Sequence, residues 1–347
     1  MRPAPDPVVL TVLLAVAGLC YAGVTLFSGG ADPGRRAQEL RAARAMGAAI
    51  AAVGQAAPAP DPATDPNRTG LVGLPFTAIT TTLGSLPAKR TGAQPDAAAL
   101  MARLMLQAGV QAGSKVAIES SGSFPGFAIA ALVAARSLGA EAVPVVSIGA
   151  SQYGANRPEF TLPDMLDVLA RRGLIQRGPL AVSPGGGSDR GGDMDPELLE
   201  PALARAAARG ARILRPADLA GDVAMKRAIL DSRGRPALFV SVGGNWAAAG
   251  PGESLLGRTG LLIPGQFKPE GTGLIQAYLR DRVPVIRVLD VQDLCVRTGL
   301  PFDPIPWPPE GRSSLYRGTL PPRPLIALGP LLAILAALAV KRKRASS

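Results

Sequence analysis

Short apolar segments alternate with helical patterns over most of this chain, and this alternation restricts the fold more than any other feature. A helical pattern over 96–108 is followed by an apolar strand over 116–119, a helix over 127–138 and a strand over 142–147. Strands that alternate with helices usually pair in parallel, and the helices then cover both faces of the sheet. The sequence therefore predicts an α/β domain with a mostly parallel sheet and helices on both faces. Further strands are predicted over 180–183, 211–214, 237–242 and 283–289, and further helices over 163–172, 196–209 and 291–298.

Two apolar segments lie outside this alternation, one near each end of the chain. Residues 8–27 form an uncharged run of the length that crosses a bilayer. Residues 325–340 are shorter, but the basic run that follows at 341–344 can reach the lipid headgroups. We predict a transmembrane helix at each end, and hence a cell-membrane protein with two spans. The basic tail favours an extracytoplasmic domain, whereas the arginines over 35–44 favour the opposite orientation.

The chain is predicted to divide into four parts. Residues 1–30 would form the N-terminal anchor, and residues 31–66 a juxtamembrane helix followed by the Pro-rich linker PAPDPATDP. Residues 67–318 would form the α/β domain, and residues 319–347 the C-terminal transmembrane helix with its basic tail. The predicted fold class is thus an α/β domain flanked by two transmembrane helices.

The absence of histidine limits the chemistry that this chain can perform. With no histidine and only two cysteines, Cys20 and Cys295, the sequence excludes Ser-His-Asp triads, Cys-His pairs and His-containing metal sites. Catalysis would have to use Ser, Thr, Lys, Tyr or carboxylates, or a hard cation that carboxylates hold. No cofactor is predicted.

The net charge of +11 is spread along the chain rather than collected in one nucleic-acid-binding tail. Aromatic residues, which stack on bases in nucleic-acid sites, make up only 4% of the sequence. We therefore predict no nucleic-acid partner. An anionic polymer or anionic lipid remains compatible with this charge, as does an arginine-rich surface without a partner.

Three of the predicted strands end in loops rich in Gly and Ser, at 120–123, 183–189 and 241–245. Because the carboxyl ends of parallel strands meet at one edge of a sheet, these loops are predicted to line one pocket. Glycine-rich backbone presents N–H groups that suit a carboxylate or a phosphate. The candidate ligand-binding residues are Gly122, Gly185, Gly186, Asp189, Gly243, Gly244 and Asn245, together with Arg90, Asn156 and Glu159.

The first of these loops lies in AIESSGSFPG, at 117–126, and its serines could include a nucleophile. Its glycine spacing differs from the G-x-S-x-G of a nucleophile elbow, and a lysine would have to serve as the base. The candidate catalytic residues are Ser121, Ser123 and Lys89. This hypothesis requires Lys89 to lie within hydrogen-bond reach of Ser85, Ser121 or Ser123 in a closed pocket. The alternative is a polar loop in which Lys89 is solvated.

The second loop continues into an acidic stretch, GGGSDRGGDMD, that contains Asp189, Asp193 and Asp195. Carboxylates and carbonyl groups in a flexible loop could hold Mg²⁺ or Ca²⁺. The alternative is a solvated loop whose Asp195 caps the helix that begins at Pro196.

Six stretches of the sequence match the poly-γ-glutamate system protein family, in the order in which that family carries them. They are NRTGLVG at 67–73, ITTTLGSLPAKRT at 79–91, SGSFPG at 121–126, GASQYGANRPEFT at 149–161, VGGN at 242–245 and LPFDPIPWP at 300–308. The chain resembles this family over about residues 35–316 and in its N-terminal anchor.

The resemblance implies a membrane-associated component of poly-γ-glutamate synthesis and export, but it assigns no catalytic residue. The first hypothesis is a non-catalytic accessory that binds the anionic polymer or its synthase complex, with Arg68, Lys89 and Arg90 as the nearest cations. The alternative is a Ser-Lys type hydrolase or transferase that acts on γ-glutamyl amide bonds. A third hypothesis is a cation-dependent enzyme that uses the loop around Asp189.

Overall fold

A sheet of seven strands forms the centre of the fold in a computed structural model. The structure describes residues 32–251, 255–266 and 268–316, together with positions 7, 11, 14–16 and 18. Residues 34–315 form one unit, and residues 1–33 with 316–347 form a second. The seven-stranded sheet belongs to the first of these units.

The helices and strands follow one another in an alternating order. The strands are β1 (Thr80–Thr82), β2 (Lys115–Ser120), β3 (Glu141–Ser147), β4 (Ala150–Ser151), β5 (Asn156–Arg157), β6 (Phe160–Thr161), β7 (Ala181–Ser183), β8 (Arg212–Ile213), β9 (Leu238–Val242), β10 (Gly260–Leu262) and β11 (Val285–Val288). The helices are α1 (Pro33–Ala56), α2 (Leu86–Gly92), α3 (Pro95–Gln107), α4 (Pro125–Ser137), α5 (Leu162–Arg171), α6 (Pro196–Ala208), α7 (Leu219–Leu230), α8 (Trp246–Ala249), α9 (Leu274–Arg280) and α10 (Val291–Thr298). Short 3-10 turns lie at Gly187–Asp189 and Ser314–Tyr316.

The strand order across the sheet is β10-β11-β9-β2-β3-β7-β8, and β10 is antiparallel to β11 while every other neighbouring pair is parallel. β2 is the middle strand, and its residues Val116–Ser120 are all buried. Because successive side chains of a strand point to opposite faces, this burial shows that helices cover both faces of the sheet at β2. The domain is therefore α/β with a mostly parallel sheet.

Most of the predicted elements lie within a few residues of their observed positions, but the apolar pattern does not predict the helices α2, α7, α8 and α9 or the short strands β1, β4, β5, β6 and β10. The inward face of α7 carries Asp222 and Lys226 as well as Leu230. Two buried charged residues interrupt the periodicity by which an amphipathic helix is read. The same two residues, Asp222 and Lys226, form an ion pair in a buried cluster of charges.

The two predicted transmembrane helices are corrected by the structure. Within the described residues, no helix combines the length and the apolar character that a membrane crossing needs. The helix α1 has 24 residues, which is long enough, but its first half carries Arg35, Arg36, Glu39, Arg41 and Arg44. These charges make insertion into hydrocarbon unfavourable.

Of the predicted fold class, the structure supports the α/β domain. It contradicts the prediction of a cell-membrane protein with two spans, because no described helix could cross a membrane. The segments to which the spans were assigned, 8–27 and 325–340, lie outside the described residues except for positions 11, 14–16 and 18.

The helix α1 packs against the domain. Its side chains Ala42, Met46, Ala49 and Val53 are buried. Glu39, also buried, accepts two hydrogen bonds of 2.8 Å from Arg103 of α3. The segment predicted as a juxtamembrane helix is therefore part of the unit that contains the sheet.

Candidate active site

A cavity of about 490 Å³ opens at the carboxyl edge of the sheet. Residues that follow β2, β3, β7, β9 and β11 line it, as does the segment from β1 to the start of α2. This is the edge at which open α/β sheets bind their ligands. Exposed apolar side chains surround the opening, where Leu83 is 84% exposed, Trp246 52% and Phe302 40%.

Lys89 reaches into this cavity from α2, and only 3% of its surface is exposed. Its Nζ lies 2.6 Å from the Oγ of Ser151 and 2.6 Å from the carbonyl oxygen of Ser123. The same nitrogen lies 3.7 Å from the centroid of the Phe124 ring. Lys89 is therefore held in place by neutral groups rather than by a carboxylate.

Burial lowers the pKa of Lys89 from its ordinary value of 10.5 to about 7. The cause is desolvation, which disfavours the charged ammonium when no counter-ion compensates it. At neutral pH a substantial fraction of the side chain is thus an uncharged amine with a free lone pair. A lysine in this state can accept a proton from a neighbouring hydroxyl.

Ser151 occupies the short strand β4, which pairs with β1 beside the main sheet. Its backbone N–H donates to the Oγ of Ser123 over 3.1 Å. Gly84 packs against the same place, because a Cβ there would lie 2.5 Å from the carbonyl oxygen of Gln152 and 3.1 Å from Ser151 Oγ. Only glycine leaves room for the serine in this position.

The predicted catalytic serines line the cavity but do not pair with Lys89. The hydroxyl of Ser121 accepts a 3.4 Å hydrogen bond from the N–H of Ser123, and the hydroxyl of Ser123 accepts from Ser151. Among the described side chains, the hydroxyl that Lys89 contacts is that of Ser151. Lys89 therefore lies against a serine hydroxyl, but it is that of Ser151 rather than that of Ser121 or Ser123.

Of the predicted glycines and asparagines, Gly186, Gly244 and Asn245 line the cavity. Gly122 lies behind them and donates its N–H to the carbonyl of Gly149 over 3.0 Å. Two others, Gly185 and Gly243, pack against neighbouring loops rather than against the open space. The loops do meet as predicted, and their outermost residues form the surface of the site.

Three other candidates lie away from the cavity. Asn156 is buried, where it accepts from the N–H of Leu74 at 2.9 Å and donates to the Leu74 carbonyl at 2.8 Å, so its role is structural. Glu159 is exposed. Arg90 forms a bidentate pair with Asp303, with N–O distances of 2.5 and 2.6 Å, and that pairing raises its pKa.

Asn245 presents an unused donor. Its side-chain oxygen accepts from the N–H of Ala247 over 3.1 Å at the start of α8. Its Nδ2 has no hydrogen-bond partner among the described residues, although the residue is only 7% exposed. The hydroxyl of Ser147, which also lines the cavity, is buried without a partner as well.

Asp189 is buried below the cavity loops, where it joins a cluster of charges with no exposed surface. Lys226 Nζ lies 2.8 Å from Asp189, 3.4 Å from Glu119 and 3.4 Å from Asp222. Burial is the main cause that raises the pKa of Glu119 to about 7 and that of Asp222 to about 8; Lys226 opposes the rise, and the neighbouring Asp189 adds to it. Burial alone would lower the pKa of Lys226, but the three carboxylates raise it above its ordinary value.

The acidic stretch predicted as a cation site divides among separate partners. Asp189 pairs with Lys226, Asp193 accepts from the N–H of Gly187 at 3.1 Å, and Asp195 caps α6 through the N–H of Glu197 at 2.9 Å. Across the described residues, no group of three or more Cys, Asp or Glu side chains is arranged to hold a metal ion. The cation-dependent hypothesis receives no support from these residues.

Comparisons with protein-family models, with curated proteins and with solved structures give no match. The resemblance to the poly-γ-glutamate system family therefore stays a prediction. Ser151 was not among the predicted site residues, although it lies in GASQYGANRPEFT, one of the stretches that carry the resemblance. The available signal was a serine in a glycine-rich loop directly after the strand that ends at Ser147.

Proposed function

We propose that this protein is a Ser-Lys type hydrolase or transferase in which Ser151 is the nucleophile and Lys89 its base. The observation that carries the proposal is the 2.6 Å contact between Lys89 Nζ and Ser151 Oγ inside a cavity of about 490 Å³. A buried lysine whose pKa is about 7 has the proton affinity that a general base needs near neutral pH. The chain contains no histidine that could take this role.

The hydrogen bonds of Lys89 fit the proton transfer that the proposal requires. A neutral amine has two N–H groups and one lone pair, so it can donate to the Ser123 carbonyl and accept the proton of Ser151. As that proton leaves, Ser151 Oγ attacks the substrate carbonyl carbon. The resulting ammonium then donates its proton to the departing amine, the C–N bond breaks, and an acyl ester on Ser151 remains.

The second half of the reaction distinguishes a hydrolase from a transferase. In a hydrolase, water attacks the acyl ester and Lys89 accepts a proton from that water. Lys89 then returns the proton to Ser151 Oγ as the ester C–O bond breaks, and the free acid leaves. In a transferase, an amine or a hydroxyl replaces the water. The cavity is open at its apolar rim, which admits either acceptor.

The γ-glutamyl amide bond is the substrate class that the family resemblance implies, and we carry it into the proposal. Among the described residues that line the cavity, the one basic side chain is Lys89, whose pKa is about 7, and two carboxylates, Asp193 and Asp290, are exposed. This charge pattern does not favour a groove that holds a long polyanion without catalysis. It suits a site that takes a single amide linkage and leaves the rest of the polymer in solvent.

Covalent labelling of the full-length chain tests the proposal. The protein is incubated with a fluorophosphonate, which phosphonylates activated serines with loss of fluoride, and the modified peptide is identified by mass spectrometry. We expect a single adduct on Ser151 that is absent from Ser151→Ala and about 10²- to 10⁴-fold slower in Lys89→Met. Lys115→Met, which removes a partly exposed lysine outside the cavity, is the matched control and is expected to label normally.

The substrate class is tested in the same preparation with poly-γ-glutamate. Shortening of the polymer on gels, lost in Ser151→Ala, supports a hydrolase that acts on γ-glutamyl bonds. Labelling of Ser151 without any effect on the polymer would keep the chemistry and remove this substrate. A chain that shows no Ser151 adduct but binds the polymer in a salt-sensitive manner would instead support the non-catalytic accessory.

A further inference from the structure

We infer that the side-chain amide of Asn245 donates a hydrogen bond to the carbonyl oxygen of the bound substrate, and that this bond strengthens when the oxygen becomes an oxyanion. The inference rests on the proposed function, since it assigns a third catalytic group, beside Ser151 and Lys89, to the same cavity. It is carried by an unpartnered donor, Asn245 Nδ2, in a residue that is 7% exposed and lines the cavity.

The orientation of this amide is fixed by its chemistry. The N–H of Ala247 needs an acceptor, and the Asn245 oxygen supplies it at 3.1 Å. An inverted amide would place its NH₂ group against that N–H and lose the cap. The NH₂ end of Asn245 is therefore the end that stays without a protein partner.

A buried donor without a partner carries an unfavourable free energy that a ligand can remove. Buried serines show the same lack of partners at 147, 183, 241 and 313, but of these only Ser147 lines the cavity. The hydroxyl of Ser147 can rotate, whereas the amide of Asn245 cannot. Asn245 is thus the fixed donor of the site, which is the property that oxyanion stabilisation requires.

Close packing joins the loop that carries Asn245 to the loop that holds the nucleophile. Gly243 has a φ of +97°, and a Cβ on it would lie 2.3 Å from the Oγ of Ser121. Ser121 in turn bonds to Ser123, whose hydroxyl accepts from the N–H of Ser151. These contacts connect the two loops, and both Asn245 and Ser151 line the same cavity.

The movement of electrons in the addition step explains why a donor is needed at the substrate oxygen. When Ser151 Oγ attacks, the π electrons of the substrate C=O move onto the oxygen, and the serine proton moves to Lys89. The new negative charge is stabilised by a donor that was already in place and needs no reorganisation. When the intermediate collapses, the C=O bond reforms and the leaving amine takes the proton from Lys89.

The test uses variants that keep the helix cap but remove the Nδ2 amide donor; aspartate has no donor when ionised, and serine has only a shorter, rotatable hydroxyl. Serine and aspartate are both good N-cap residues, so Asn245→Ser and Asn245→Asp retain an acceptor for the N–H of Ala247. Turnover of p-nitrophenyl acetate by the full chain gives kcat and KM, and thermal unfolding checks the fold. We expect Asn245→Ser to lower kcat about 10²- to 10³-fold with little change in KM or Tm. Asn245→Asp is expected to be at least as slow, because it adds a negative charge beside the oxyanion.

The outcomes separate this inference from the function on which it rests. If Ser151→Ala abolishes turnover but Asn245→Ser keeps the kcat of the parent chain, the role of Asn245 is overturned and the Ser-Lys mechanism stands. If Ser151→Ala turns over at the parent rate, both are overturned. A lower Tm in Asn245→Ser with unchanged kcat per folded molecule would assign Asn245 a structural role only.

Discussion

Two buried lysines of this protein, Lys89 and Lys226, differ in what surrounds them rather than in how deeply they lie. Lys89 is 3% exposed and contacts a hydroxyl, a carbonyl oxygen and an aromatic ring. Lys226 is fully buried and contacts three carboxylates. Burial lowers the pKa of the first to about 7, whereas the carboxylates raise the pKa of the second above its ordinary value.

The difference separates a reactive amine from a structural ammonium. A lysine that loses its hydration without gaining a counter-ion releases its proton readily and can act as a base. A lysine among carboxylates stays charged, and its removal leaves those carboxylates without compensation. In the proposed mechanism the cavity takes its chemistry from the lysine with neutral partners, while the other lysine holds Asp189, at the end of the Gly185–Asp189 loop, against α7.

The largest expected effect comes from removing Lys226 from its three carboxylate partners. Lys226→Met leaves three buried carboxylates unpaired, and we expect the free energy of unfolding to fall by about 3–5 kcal/mol. Urea denaturation of the full chain measures it. Lys89→Met serves as the matched variant, because it removes a buried lysine that has no carboxylate partner and should cost far less. Equal losses in the two variants would contradict the distinction drawn between the lysines.

The pH dependence of acylation sharpens the account of Lys89. Since the base must be unprotonated and its pKa is about 7, we expect the rate of Ser151 labelling to rise about tenfold per pH unit below 7 and to level off above it. The measurement is the second-order rate of fluorophosphonate labelling between pH 5 and pH 9. A midpoint near 10 would show that Lys89 is not desolvated as described.

The pH dependence of stability should run in opposite directions for the two environments. The pKa of Glu119 is raised from 4.5 to about 7 on folding, so the folded state binds more protons in that window and stability falls as pH rises through it. The pKa of Lys89 is lowered from 10.5 to about 7, so stability rises between those values. Each slope is at most about 1.4 kcal/mol per pH unit.

A single substitution at each of these two residues should reduce its own contribution to the pH dependence of stability. Glu119→Gln keeps the shape of the side chain and is expected to reduce the fall in stability between pH 4.5 and about 7. Asp222, whose pKa is raised to about 8, still contributes a fall in the same window. Lys89→Met should flatten the rise above pH 7 and leave the acid side unchanged. Thermal unfolding across the pH range measures both. If the dependence of stability on pH below 7 is the same in Glu119→Gln as in the parent chain, the pKa of this carboxyl does not change on folding.

The smallest expected effect concerns Arg90, which follows Lys89 directly in the chain. Its guanidinium pairs with Asp303 outside the cavity, so Arg90→Met should lower the free energy of unfolding by about 1 kcal/mol. Labelling of Ser151 should keep the parent rate. Asp303→Asn is the partner control, and a rate loss in Arg90→Met alone would place Arg90 in the site after all.

The sequence located one half of the proposed catalytic pair. The lack of histidine left lysine as the base for a serine nucleophile, and Lys89 was the lysine nearest to a cluster of hydroxyls. Ser151 could not be chosen in the same way, because it lies 62 positions from Lys89 and reaches it only through the pairing of β4 with β1. Pairing between segments of two or three residues leaves almost no pattern in a sequence.

Periodicity along the chain determined the α/β class, the order of most strands and helices, and the meeting of Gly-rich loops at one edge of the sheet. These are consequences of local apolar spacing and of the rule that parallel strands end together. Only the tertiary structure decided that Lys89 is buried without a counter-ion, that Ser151 is the serine whose hydroxyl it contacts, and that the amide of Asn245 has an unpartnered donor. Those properties depend on desolvation and on contacts between segments far apart in the chain, and neither is encoded in the spacing of residues along one element.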